Sequence, residues 1–278
     1  MVTRVVSSLV LAPIVLLAIH LGPPASDGLL LAAAAVMAWE WGRICGRRRG
    51  FGAAEGAVVA GTVAPVAAGA LLGPSIASWV VAVGALAAAL VAARDERRAP
   101  VGGQPGTGPG GGDLSLWFGF GVLYLAVPLL ALQWLRGPAG AGQGELPVFW
   151  VVGLVWATDV GAFFVGRSIG GPKLWPRVSP NKTWAGMVGG LVSAGLVGAV
   201  FALAAEPGAL WRLVLLSAVL SAVAQAGDFF ESGVKRQFGA KDASDLIPGH
   251  GGLLDRVDGL LAATLALAFL AWLGKAPF

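Results

Sequence analysis

The chain reads as an all-α, polytopic membrane protein of about nine transmembrane helices with its N-terminus in the cytoplasm. Three observations carry that reading. Apolar residues fill 56% of the 278 positions and charged residues only 12%. The apolar residues fall in long runs, and the basic residues alternate in step with them. An apolar share this high excludes an ordinary soluble domain, and a helix needs roughly 20 such residues to cross the hydrocarbon core. Nine runs qualify, at about 5–21, 27–45, 53–73, 75–93, 114–135, 147–166, 184–205, 210–230 and 253–273. The first follows Arg4 as in a signal peptide, yet no clear small-x-small cleavage site follows and many spans do, so a retained helix is expected.

With nine spans the loops alternate between two sides. One side receives sixteen of the 19 Lys and Arg, and the other only Arg136, Arg212 and Lys275. The positive-inside rule makes the rich side cytoplasmic. The expected location is the cell (inner) membrane. An isoelectric point near 9.7 then reflects topology and attraction to anionic lipid, and no nucleic-acid partner is expected. The single cysteine, Cys45, cannot form an intramolecular disulfide.

The Gly/Pro-rich stretch 101–113 reads as a linker between an N-terminal four-span region, 1–100, and a C-terminal five-span region, 114–278. Glu40, between Trp39 and Trp41, is expected to be part of an interfacial aromatic anchor, its carboxylate partnered. Gly186, Gly190, Gly195 and Gly198 are expected to let helices pack closely.

Nearly all the chemistry lies between Ser232 and Asp258, with Asp228 and Glu231 just upstream. Asp228 and Glu231 are spaced i, i+3 on one helix face, with Lys235 a further turn along if the helix continues. Asp255 and Asp258 repeat that spacing where the ninth span begins. Two readings of these carboxylates stand. As hard oxygen donors they suit Mg²⁺, which keeps several waters and takes one or two carboxylates plus substrate phosphates. Alternatively they are salt-bridged to Lys235, Arg236, Lys241 and Arg256.

Between the pairs, Pro248-Gly249-His250-Gly251-Gly252 breaks both helices and lets backbone approach a ligand. Its N–H groups, beside a helix N-terminus, form a natural phosphate cradle. His250 has three roles open to it: donor to a phosphate, acid or base, or brace of the turn. Asp159 is an acid in an apolar span and needs a metal, Lys182 or another basic group as partner. Ser179-Pro180-Asn181-Lys182-Thr183 reads as a turn, with Thr183 or Ser179 capping the seventh helix.

The run Ser232, Lys235, Arg236, Lys241, Asp242, Pro248, His250, Gly251, Gly252, Asp255, Arg256 and Asp258 resembles the signature of the phosphatidate cytidylyltransferase (CDP-diacylglycerol synthase) family at every specified position. The likeness extends to Gly227-Asp228, the 179–182 turn and the Asp159 helix. The first four spans match only in hydropathy and count. One departure is Ala185, where the family often has Glu, so a carboxylate there is not essential to this chain's activity.

The resemblance implies transfer of a cytidylyl group from CTP to phosphatidate, giving CDP-diacylglycerol and pyrophosphate at the cytoplasmic face. It implies Mg²⁺ on Asp228 and Asp255, accompanied by a monovalent cation such as K⁺, and a homodimer. On that reading Asp228, Asp255, Lys182 and His250 are catalytic. Asp159, Ser179, Lys235, Arg236, Lys241, Asp242, Gly251, Gly252, Arg256 and Asp258 bind substrate. A secondary transporter would also carry intramembrane acids and broken helices, but these charges gather at one face and no repeat is visible. An enzyme using another lipid phosphate is the nearer alternative.

Overall fold

A computed structural model of the protein describes residues 2–46, 51–98, 113–137, 144–205, 207–247, 249 and 251–274. Among them are nine helices: α1 (Val2–Leu21), α2 (Ala25–Cys45), α3 (Ala53–Leu72), α4 (Pro74–Arg98), α5 (Leu114–Arg136), α6 (Glu145–Ile169), α7 (Trp184–Ala205), α8 (Leu210–Gln237) and α9 (Leu254–Trp272). Every apolar run of the sequence became a helix. Seven of these helices, α2 to α8, are long and apolar enough to cross a membrane. In α1 the apolar stretch is Leu9–Leu21, and α9 opens with Asp255, Arg256 and Asp258 in its 19 residues. Lys and Arg at the ends do not stop the helices. The α4 helix runs on to Arg98 and α8 to Gln237 because hydropathy marks the hydrocarbon-facing part of a helix, whereas the i→i−4 ladder continues into water.

Membrane character also shows in what is left outside. Val188, Val192, Val200, Leu196 and Leu203 form a stripe along α7, each more than half exposed. A soluble protein would bury such a contiguous apolar face, whereas lipid tails accept it.

The chain divides into two compact units. The first comprises 1–140 with 234–256, and the second 141–233 with 257–278. The linker stretch 101–112 lies outside the described residues. Asp113, which ends it, caps α5 by accepting the Ser115 N–H at 2.9 Å. The Ser115 hydroxyl and N–H hold its carboxyl below the usual carboxylate range, which keeps a negative charge at the helix's positive end.

In the first unit, α2 to α5 pack around Met37, Trp41, Val122 and Leu125, all essentially inaccessible. A Cβ on Gly84 of α4 would lie 2.8 Å from the Cα of Gly61 on α3, so the two backbones touch there. The Trp41 indole donates to the Trp117 carbonyl at 3.0 Å, and Trp117 meets Phe238 edge-on at 5.4 Å.

In the second unit, glycines on α7 bring it against α6, as expected of them. A Cβ on Gly186 would lie 2.8 Å from the Ala162 carbonyl, and one on Gly190 3.1 Å from the Thr158 carbonyl. Gly198 does the same toward the Leu213 carbonyl of α8, at 2.5 Å, while Gly195 makes only ordinary contact with Val214. Three buried hydroxyls and the indole of Trp150 are mutually satisfied: Trp150 donates to Ser217 at 2.9 Å, and Thr158 pairs with Ser221 at 2.8 Å.

The 170–183 segment differs from expectation. It forms an antiparallel hairpin of β1 (Lys173–Trp175) and β2 (Ser179–Thr183). Ser179 pairs with Trp175 in the ladder and so does not cap α7. Thr183 does, its hydroxyl accepting the Gly186 N–H at 3.1 Å.

Candidate active site

In the second unit, β2 carries Lys182 to the carboxylate of Asp228 on α8, an ion pair with both side chains about one-third exposed. The ammonium also lies 4.4 Å over the Phe229 ring, which is itself 6.4 Å from Trp175 on β1. Helix α8 thus holds the hairpin's lysine from two sides, by charge and by ring face. Asp228 Oδ1 has only a long contact, 3.4 Å, from the Ser232 hydroxyl one turn on. That oxygen keeps acceptor capacity for a ligand.

Helix α8 continues past Ser232, so Lys235 does fall on its next turns. In the first unit Lys235 donates to Asp255 Oδ1 at 2.5 Å, with the side chains 9% and 7% exposed. Asp255 Oδ2 accepts two backbone N–H groups, from Ala243 and Gly252, each at 2.9 Å. The loop from α8 to α9 is therefore wound around one carboxylate. A pair of backbone bonds between Ile247 and Gly251, 2.9 and 3.2 Å, closes its tip. Gly251 has φ +84°, a conformation suited to glycine.

Lys241 and Asp242 are exposed on this loop, and Arg256 is exposed in the first turn of α9. Arg236, exposed as well, donates to the Ala240 carbonyl at 3.1 Å and holds the start of the loop. Asp258, half-buried on α9, accepts the Gly259 N–H at 2.7 Å. Asp159 lies on the exposed side of α6, and the carboxylate that Lys182 meets is Asp228. His250 and Pro248 lie outside the described residues.

Of the four basic groups weighed as salt-bridge partners for the carboxylates, Lys235 forms such a pair, with Asp255. The partner of Asp228 is Lys182, from the hairpin. Glu231 lies on α8 at the expected i, i+3 spacing from Asp228 and is buried, at 1% exposure.

Glu40, expected only as part of an interfacial anchor, also holds this loop. It lies on α2 with no exposure. Its Oε1 accepts the Ser244 hydroxyl at 2.5 Å and the Leu253 N–H at 2.9 Å, and Oε2 accepts the Leu254 N–H at 2.7 Å. These N–H groups open α9, so the carboxylate caps that helix from another one. The available signal was a carboxylate in an apolar span, which demands buried donors. Nothing in the sequence said that they stand more than 200 positions away.

Gly252 sits in the crook of this arrangement. A Cβ there would lie 2.6 Å from Glu40 Oε1 and 2.8 Å from the Ala243 Cβ. Gly252→Ala is expected to cost about 1–3 kcal/mol by overpacking, read as a lower unfolding midpoint in detergent. Gly233→Ala is the control. It lies in α8 with open space around the added methyl, and should be neutral or stabilising by up to about 1 kcal/mol.

Over 152 residues, 54% of this chain and 55% of the relative, the protein is 50% identical to the phosphatidate cytidylyltransferase of Brucella suis. It thus spans about half the length of the Brucella proteins it matches. It is 44% identical over 124 residues, 44% of this chain and 46% of the relative, to the phosphatidate cytidylyltransferase of Bacillus subtilis. A third, from Pseudomonas aeruginosa, is 36% identical over 97% of this chain and 96% of its own length. The profile described as "Cytidylyltransferase family" matches residues 2–273, and the chain belongs to that family.

Proposed function

We propose that the protein transfers a cytidylyl group from CTP to phosphatidate at the cytoplasmic face of the cell membrane, releasing pyrophosphate and CDP-diacylglycerol. The observation that carries the reading is the α8–α9 loop folded around Asp255, with Lys235 on one oxygen and two backbone donors on the other. The names of the relatives, and the resemblance of Ser232–Asp258 to the family signature, support it.

In the reaction a phosphatidate phosphate oxygen attacks the α-phosphorus of CTP. The bond from that phosphorus to the bridging oxygen breaks, and its electron pair leaves with pyrophosphate. Both reactants are anionic and must be neutralised before they meet. Lys182, Lys235, Arg236, Lys241 and Arg256 supply positive charge for the lipid phosphate and the departing pyrophosphate. A phosphate monoester is largely ionised near neutrality, so positioning and electrostatics carry the step without a strong general base.

Asp228 and Asp255 are the ligands we assign to Mg²⁺. Each is a hard oxygen donor, and Asp228 Oδ1 has a lone pair to give. When bound, Mg²⁺ clamps phosphate oxygens and stabilises charge developing on them. K⁺ as an accompanying cation and a homodimer belong to the same proposal.

Purified protein in detergent, given radiolabelled CTP, phosphatidate and Mg²⁺, is expected to form CDP-diacylglycerol and pyrophosphate, and to lose that activity when the metal is chelated. Product with an isoprenoid-ether lipid phosphate and none with phosphatidate would move the protein to another lipid substrate. No nucleotidyl transfer to any lipid phosphate would overturn the proposal.

A further inference from the structure

We propose that Glu40 is a positioning residue for the α8–α9 loop, and that the N-terminal spans act on the reaction through it. The inference rests on the proposed function for its kinetic part and on geometry alone for its structural part. Glu40 is held on α2 among the buried Met37, Ala38 and Trp41, and Trp41 donates to Trp117. Its three hydrogen bonds reach both ends of the segment 244–254: the Ser244 hydroxyl at one, and the Leu253 and Leu254 N–H groups at the other.

Asp255 is the next residue along, and its own Oδ2 gathers Ala243 and Gly252, the neighbours of those same contacts. Two carboxylates therefore clasp one loop. Asp255 closes it from within, and Glu40 fixes it to a rigid helix. Aromatic packing of Trp117 on Phe238 holds the loop's other entrance. A loop of this glycine content has many conformations available, so a fixed outer anchor decides where Lys235 and Asp255 point.

Glu40→Gln keeps the volume but turns an acceptor into a donor, so one of the three bonds must be lost. Two measurements on the full chain in detergent test the proposal. By hydrogen–deuterium exchange, amides in 243–254 should exchange about tenfold faster in the variant, with α3 to α5 unchanged. In the CTP assay kcat should fall about 10- to 100-fold, while KM for CTP and for phosphatidate each stay within about threefold. Ser244→Ala removes one donor and leaves both backbone bonds to Glu40. It should shift both measurements in the same direction but less, with kcat down roughly three- to fivefold.

Unchanged exchange at 243–254, faster exchange spread evenly over α2 to α5, or a kcat within about twofold of wild type would each overturn the positioning role. If Glu40→Gln does not fold, the same two measurements on Ser244→Ala decide. Should the wild-type protein make no CDP-diacylglycerol, the proposed function fails, and the exchange comparison alone decides whether Glu40 braces the loop.

Discussion

Asp228→Asn is expected to lower CDP-diacylglycerol formation by about 100- to 1,000-fold while the unfolding midpoint stays within about 3 °C of wild type. The two halves of that result have separate causes. Asp228 and Lys182 are each about one-third exposed, and pairs open to solvent contribute roughly 0–1 kcal/mol. Lys182 also keeps its place over the Phe229 ring when the charge opposite is gone. Stability should therefore hardly move. Activity should fall because the asparagine has the shape of the ligand without the charge that a divalent cation and its phosphates require. Near-wild-type turnover by purified Asp228→Asn would remove it from the metal assignment. A large fall in midpoint would instead mean that its role is structural.

The nine helices were legible because hydropathy over some twenty residues is a strong local signal, and the bilayer leaves few alternatives to a helix. The gathering of Lys235, Gly252 and Asp255 on one loop was legible for another reason: fixed spacing among them matters only if the backbone between them folds one way. What stayed hidden was partnership. Which lysine meets which aspartate depends on the turn of α8 beyond residue 230 and on a hairpin too short to declare itself. Lys173–Trp175 has three residues, and Ser179–Thr183 carries Pro180 in a strand, so turn signals dominated the reading.

Glu40 shows the same limit more sharply. Beside two tryptophans it looked like an interfacial anchor, and the partnered carboxylate expected there is real. Its partners, however, are the opening N–H groups of α9. Local pattern tells that a buried acid must be satisfied, and only the tertiary fold tells by what.

Asp255→Asn should be as inactive as Asp228→Asn but markedly less stable, and this contrast is the sharpest test of how the loop is built. Asp255 and Lys235 are nearly inaccessible. Neutralising one member of such a pair takes the Asp255 counter-charge from a buried cation, at a cost of about 3–5 kcal/mol. The expected fall in unfolding midpoint is on the order of 10 °C. The asparagine oxygen can still accept from Ala243 and Gly252, but its amide then faces Lys235, donor against donor. The double variant Lys235→Met/Asp255→Asn separates fold from chemistry. Replacing the cation by an apolar chain of similar length removes the uncompensated charge, so most of the lost stability should return, whereas turnover should stay at the level of the single variant. If the double variant recovered activity along with stability, Asp255 would be a strut of the loop and not a participant in the reaction. If it recovered neither, the Lys235 ammonium would hold more of the fold than its contact with Asp255 accounts for.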